Sequence, residues 1–338
     1  MRKMLWVILV LSIITSFSAF AAEIEPKSPS VIRKNIELLK DKKNEHDATV
    51  ALVSSKEAAV PFLVEAASNL KEKPGQRLAV IDIMGDIKSP LAADCLITTL
   101  KDSNVKIRRA SAKALGNIGD NKAVAGLQEA LSDFDSEVRF LATQSLQQIK
   151  DPSLGSTFRT LLSDPDVRIR LSAVKGLGDI KDEQAVEDLS ALVGDNSDDV
   201  RLELAIALGK IGTKSTTPAI NRLLEDRNIK VRSQALKALG KVGDPSSIPY
   251  LTKIAERDDK DLRYTATIAL GDIGTDEVIP TLRKLLKDEV INVRLAAIKS
   301  LTKIGKLEFV QDFKGLASDE STKVRKEAGT GIGEIEKK

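Results

Sequence analysis

Nine arginines recur every 31 residues along this chain: Arg77, Arg108, Arg139, Arg170, Arg201, Arg232, Arg263, Arg294 and Arg325. A single globular core gives no reason to set one side chain on such a clock. A fixed period of roughly 20–50 residues marks a stacked repeat, in which each unit buries its apolar face only against its neighbours. The functional question therefore moves from a pocket to a surface.

With each arginine taken as position zero, the residue before it is aliphatic in every unit but the first, where Gln76 stands. Small apolar residues such as Ala142, Ala173, Ala235, Ala266, Ala297 and Ala328 occupy +3. Leucine or a close relative occupies +7, and isoleucine or valine occupies +10. Positions −1, +3, +7 and +10 form one stripe of an α-helix. Gly119, Gly212, Gly243, Gly274 and Gly305 follow the last aliphatic residue, where a left-handed C-terminal residue is expected. A second amphipathic segment follows, holding Leu127, Phe158, Leu189, Ile220, Leu251, Leu282 and Phe313. Pro218, Pro249 and Pro280 sit near its start, where a missing N–H costs nothing. No run alternates like a strand. The expected fold class is all-α: an α-solenoid of about nine 31-residue helix-turn-helix repeats.

An early-helix proline, an aspartate eight residues later and Val-Arg after a further five and six make up Pro218, Asp226, Val231 and Arg232. That pattern resembles HEAT repeats, and the ending A-L-G-x-I-G-D resembles the HEAT-like repeats of phycobilin lyases. The resemblance covers residues 57–338. The first unit departs from it, with Lys71 in the aspartate register, and the seventh carries Arg257 there, with Asp258 one place late.

The turn aspartates Asp102, Asp133, Asp164, Asp195, Asp226, Asp288 and Asp319 each precede their arginine by six residues. Such an aspartate can accept backbone N–H groups at the opening of the second helix. The guanidiniums of Arg108, Arg139, Arg170, Arg201, Arg232 and Arg294 can fork onto a carboxylate of their own turn or of the adjacent one. The resemblance implies such a ladder between units. A catalytic carboxylate pair would be local, whereas these recur in every unit.

Residues 1–22 read as a secretory signal peptide: Arg2 and Lys3, an apolar run from Met4 to Ile14, and the small-x-small site Ala19-Phe20-Ala21. An uncleaved anchor is the competing reading. The mature chain is expected to be exported, to a bacterial periplasm or outside the cell. Residues 23–56 read as a degenerate repeat capping the array, with a helix over Ser30 to Lys40, Ser30 as its N-cap, and another over Asp47 to Val53. At the other end, Gly329, Gly331 and Gly333 suggest a frayed final helix.

The chain carries 52 basic and 49 acidic residues; without Arg2 and Lys3 the balance is 50 to 49, which argues against nucleic acid as a partner. His46 is the only histidine and Cys95 the only cysteine, so a His/Cys metal site lacks ligands. Cys95 is read as a small packing residue. A calcium site at Asp195, Asp198 and Asp199 competes with a solvated acidic turn. No catalytic motif stands out, and no cofactor or metal is implied.

Recognition remains. Positions +1, +5 and +9 of the arginine-bearing helix fall outside its core stripe; the resemblance implies that they line the inner, concave surface. Phe140, Leu171, Leu202, Ile206, Tyr264 and Ile268 form an apolar lane there, flanked by Lys113, Lys175, Lys237 and Lys299. At a helix-packing distance of about 10 Å per unit, the lane runs on the order of 50 Å. Contiguous apolar surface of that size marks an interaction site, and aromatic side chains such as Tyr264 and Phe140 are natural anchors. The competing reading tucks the leucines between adjacent helices as core. The expected function is a non-catalytic exported scaffold that binds a protein or peptide. A lyase-like enzyme or enzyme subunit is the alternative, and a glycan binder a minor one.

Overall fold

The computed structural model describes residues 28–257 and 259–337, less the Arg257 side chain; residues 1–22, read above as a signal peptide, lie outside them. No strand occurs among the described residues. They fall into two compact units, divided after Ile149.

The first unit opens with the helices Pro29–Leu38 and Glu45–Ser54. Ser30 is not the N-cap. Pro29 occupies the first turn, so the helix begins earlier and Ser28 precedes it. Ile32, Ile36 and Leu39 are buried. Three pairs of one short and one long helix follow: Val60–Ser68 with Pro74–Ile87, Ala93–Thr99 with Val105–Ile118, and Val124–Ala130 with Ser136–Ile149. Gln76, which broke the aliphatic pattern, donates its buried amide to the Ile36 carbonyl at 2.9 Å and so ties the first long helix to the cap.

The second unit holds six pairs. The short helices are Gly155–Leu161, Val186–Ser190, Thr217–Leu223, Ile248–Arg257, Ile279–Leu285 and Phe309–Lys314. The long ones are Val167–Ile180, Asp198–Ile211, Ile229–Val242, Lys260–Ile273, Ile291–Ile304 and Thr322–Ile335. Within each unit every long helix packs on the next along its length and on its own short helix, while the short helices touch one another sparingly.

The −1, +3 and +7 positions are the core: Val200, Leu204 and Leu208 have no exposed surface, nor do Val231, Ala235 and Leu239. The +10 residues are half-buried in most repeats, because the stripe reaches the helix's last turn there. Phe158, Leu189, Ile220, Leu251 and Leu282 fill the other side from the short helices. Gly119, Gly212, Gly243, Gly274 and Gly305 take φ between 66° and 78°, as their place after the last aliphatic residue requires. Lys88, Lys150 and Lys181 adopt the same left-handed conformation without glycine's freedom. A 3₁₀ turn then leads into every short helix but the last, often with an aspartate at its head: Asp120, Asp151, Asp182 and Asp244 each accept the N–H two residues on.

The long helices also meet through a column of small residues. Glycine at +8 faces the residue at +6 of the next long helix. A Cβ on Gly178 would lie 2.7 Å from the Ala207 Cα, and one on Gly240 3.0 Å from the Ala269 Cα. Here helix backbones touch, so no side chain fits. The last pair inverts the arrangement: Thr302 stands at +8 and Gly331 at +6, where a Cβ would meet the Thr302 hydroxyl at 2.6 Å and the Phe313 ring at 2.8 Å. The final helix is accordingly not frayed. It is regular through Ile335, with Val324, Ala328 and Ile335 buried, and Gly331 is there for contact.

Candidate functional site

Two rows of side chains recur along the array, one at its turns and one on the long helices. The turn row is the arginine ladder, and six of its guanidiniums reach forward among the described residues. Arg77 donates to Asp102 (2.6 Å), Arg108 to Asp133 (2.7 and 2.9 Å), Arg170 to Asp195 (2.8 and 3.0 Å), Arg201 to Asp226 (2.6 and 3.0 Å), Arg263 to Asp288 (3.1 and 3.2 Å) and Arg294 to Asp319 (2.9 Å). The partner is always the aspartate of the following repeat. The arginine's own turn supplies backbone instead: Nη1 of Arg108, Arg139, Arg170, Arg201, Arg232, Arg294 and Arg325 donates to the carbonyl of the aspartate six residues earlier.

The carboxylate also organises its own turn. Asp102, Asp133, Asp164, Asp195, Asp226, Asp288 and Asp319 each accept the N–H two residues later at 2.7–2.9 Å. That N–H belongs to the turn rather than to the helix. The N–H of the helix's second residue is capped one step further on, by Asn104, Asp166 and Asn228. The first repeat, with Lys71 in the register, uses Asn69 to hold the turn, and Arg77 bonds the Ala67 carbonyl. In the seventh repeat the register carries Arg257, and no ion pair joins Arg232 to its described residues.

Charge follows this geometry. Arg108 holds the Asp133 carboxyl below its ordinary range. Burial pushes Asp195, Asp226 and Asp319 upward, and the guanidiniums of Arg170, Arg201 and Arg294, with the turn N–H groups, more than reverse it. Arg109 forks onto Asp135 beside the ladder and takes that carboxyl down to about 2. The acidic turn at Asp195 and Asp198 is likewise committed to cations, because Asp198 accepts from Arg201, Arg227 and Asn228. No cluster of His, Cys, Asp or Glu fit for a metal occurs among the described residues. Cys95 is half-buried against Ser68 and the Val64 carbonyl, and burial raises its thiol away from reactivity.

The second row lies on the long helices. Tyr264 is 40% exposed and Ile268 37%, while Phe140, Leu171, Leu202 and Ile206 are half-buried. The leucines form a partly sunk floor, and Tyr264 and Ile268 project from it. Lys113, Lys175, Lys237 and Lys299 are exposed. Tyr264 and Ile268 line a groove of about 410 Å³ closed on its far side by Asn292, Leu295 and Lys299. One end is bridged by Lys303 and Asp272 at 2.7 Å, as Lys210 and Asp179 bridge an earlier pair of long helices at 2.7 Å.

Some of this surface was not singled out in the sequence. Val167, Ile229 and Ile291, at −3, are exposed and continue the +1/+5 stripe by one turn. A spacing of four from +1 is the signal that finds them. Phe134, in the turn after Asp133, is fully exposed, and Tyr250 half-exposed; no periodicity marks either.

Four overlapping matches to the family model of HEAT repeats cover residues 60–147, 124–205, 189–263 and 252–333. The chain belongs to the HEAT repeat family. No curated protein matches its sequence. Among solved structures, this HEAT repeat protein is similar to an engineered protein at 20% identity over 90% of this chain and 99% of that one, with a TM-score of 0.56. It is similar to the Escherichia coli protein YibA at 20% identity over 77% and 96%, TM-score 0.52. A chain in the structure of Kap95p with RanGDP is matched at 12% identity over 91% of this chain, TM-score 0.62; the match spans 51% of that chain. At such identities these likenesses concern the fold. No helix among the described residues is long and apolar enough to cross a membrane.

Proposed function

We propose that this HEAT repeat protein is a non-catalytic scaffold that holds a protein or peptide along the outward face of its long helices. The carrying observation is the groove at Tyr264 and Ile268, where an aromatic and an aliphatic side chain stay in solvent on one helix whose other apolar residues are sunk. Such exposed apolar patches favour partners. The ladder, by contrast, is consumed in holding turns together and offers no free reactive group. The Kap95p structure, in which a protein of similar fold binds RanGDP, supports a protein as the kind of partner. Export through the segment 1–22 belongs to the same proposal, and an N-terminus beginning at Glu23 in the purified mature chain is its expected signature.

A photo-crosslinking residue at position 264, used in the native cell envelope, is expected to recover one dominant protein. Tyr264→Ala and Phe140→Ala are expected to weaken that capture while leaving the melting temperature within about 4 °C, the shift of roughly 1 kcal/mol in a chain this large. Earlier melting with undiminished capture would return the lane to the core.

A further inference from the structure

The exposed stripe has a second period. Along +5 of the first five long helices of the second unit the residues are Lys175, Ile206, Lys237, Ile268 and Lys299, cationic and aliphatic in alternation, and the sixth helix ends the run with Thr330. Position −3 on the same stripe alternates in step, with Val167, Ile229 and Ile291 on the lysine-bearing helices and Asp198 and Lys260 between them. The surface therefore repeats every 62 residues, while the core repeats every 31. Packing has no use for the longer period, because −1, +3 and +7 do not follow it.

The lysines are also unspent. Lys175, Lys237 and Lys299 are exposed and make no ion pair among the described residues, whereas Lys210 and Lys303, one turn on, are paired across neighbouring helices. Glu203 lies near enough to Lys175 to feel its charge without bonding to it. A row of free ammonium groups separated by aliphatic side chains calls for carboxylates separated by apolar groups.

Spacing selects the conformation. Neighbouring long helices lie about 10 Å apart, so the occupant must present one side chain to the lane every ~10 Å. A β-strand covers that distance in three residues, but the third points to the opposite face. An α-helix does it in seven, yet seven residues fall about 20° short of two full turns, so successive contacts drift off the row by about 80° over five helices. A polyproline II segment turns once in three residues and about 9.3 Å, which keeps every third side chain on one face.

We propose that the lane binds an extended, polyproline-type acidic segment of the form acidic-x-x-apolar-x-x-acidic-x-x-apolar-x-x-acidic. Its thirteen residues span about 37 Å, against about 40 Å for five helices of the stack. The acidic residues meet Lys175, Lys237 and Lys299, and the apolar ones meet Ile206 and Ile268. This inference rests on the long-helix face being the binding surface and adds the chemistry of the occupant.

The test uses the mature chain and a labelled thirteen-residue peptide, Glu-Pro-Pro-Leu-Pro-Pro-Glu-Pro-Pro-Leu-Pro-Pro-Glu, read by fluorescence anisotropy. The expected result is binding about tenfold tighter, a gap of roughly 1.4 kcal/mol, than to a peptide of identical composition with each glutamate moved by one residue. The preference should fade with salt as screening shortens. The Lys175→Glu/Lys237→Glu/Lys299→Glu variant, its fold checked by circular dichroism, is expected to lose that peptide and to take the one with lysine in place of glutamate. Equal binding of the shifted peptide, preference for a helical peptide with glutamate and leucine alternating every seven residues, or no charge swap would each overturn the proposal. If crosslinking from residue 264 still captures a partner in those cases, only the extended acidic occupant is wrong. If it captures nothing either, the binding face itself is wrong.

Discussion

Two successive joints of the second unit are built alike in their cores and differently at their turns. Between Asp198–Ile211 and Ile229–Val242, Arg201 forks onto Asp226, and both side chains are about 95% buried. Between Ile229–Val242 and Lys260–Ile273, Arg232 reaches only its own turn's carbonyls among the described residues, and Arg257 stands where the aspartate belongs. Both joints keep the glycine contact, Gly209 on Ala238 and Gly240 on Ala269. The long helices pack equally closely in both. The glycine column and the apolar stripe therefore suffice to stack a repeat, and the ladder fixes its turn.

The largest expected effect is at the paired joint. Asp226→Ala leaves the buried Arg201 guanidinium only the more exposed Asp198 as an ionic partner and frees the Asn228 N–H, and a loss of about 3 kcal/mol is expected in denaturant unfolding. Arg232→Ala at the other joint should cost under about 1 kcal/mol, since among the described residues it removes bonds to carbonyls and no ion pair. A comparable cost for the two would end the distinction. Gly240→Val probes the contact that both joints share. Its side chain meets the Ala269 backbone, so about 2 kcal/mol should be lost, with reduced hydrogen-exchange protection at both helices.

Acid acts on the same contrast. The carboxyls of Asp133, Asp195, Asp226 and Asp319 are held below their ordinary value when folded. Their contribution is present above the unfolded value of about 3.9 and is lost as pH falls through their lower folded values; that of Asp135, which Arg109 holds down to about 2, is lost as pH falls through that value. Stability should therefore fall between about pH 4 and pH 2, and Asp226→Asn should flatten part of that slope. The smallest effect is a gain: Lys181→Gly relieves a left-handed lysine with φ 54° and should add about 1 kcal/mol.

The architecture was legible because its signals repeat; nine arginines and a buried leucine column cannot be read as anything but stacked helices. The direction of the ladder was not legible, since the period supplies an aspartate six residues before most of the arginines and another 25 after most of them. Only the turn geometry sends the guanidinium forward. The glycine at +8 was visible as a letter of the motif, but its reason lies in the neighbouring helix's alanine, 29 residues away, such as Ala207 for Gly178. Gly331 misled for the same cause: a helix-weakening residue in isolation is a contact residue in the stack. The lane was legible as positions and not as exposure, because how far Leu171 or Ile206 sinks depends on its neighbours' side chains.

The glycine column has one more consequence. Each long helix that carries it loses about 1 kcal/mol of intrinsic helicity per glycine relative to alanine, and a 14-residue helix is marginal in water to begin with. A single excised repeat should therefore be a coil. The segment acquires its shape from whichever neighbour has already ordered, so assembly of the array spreads outward from a seed, much as a crystal face recruits its next layer.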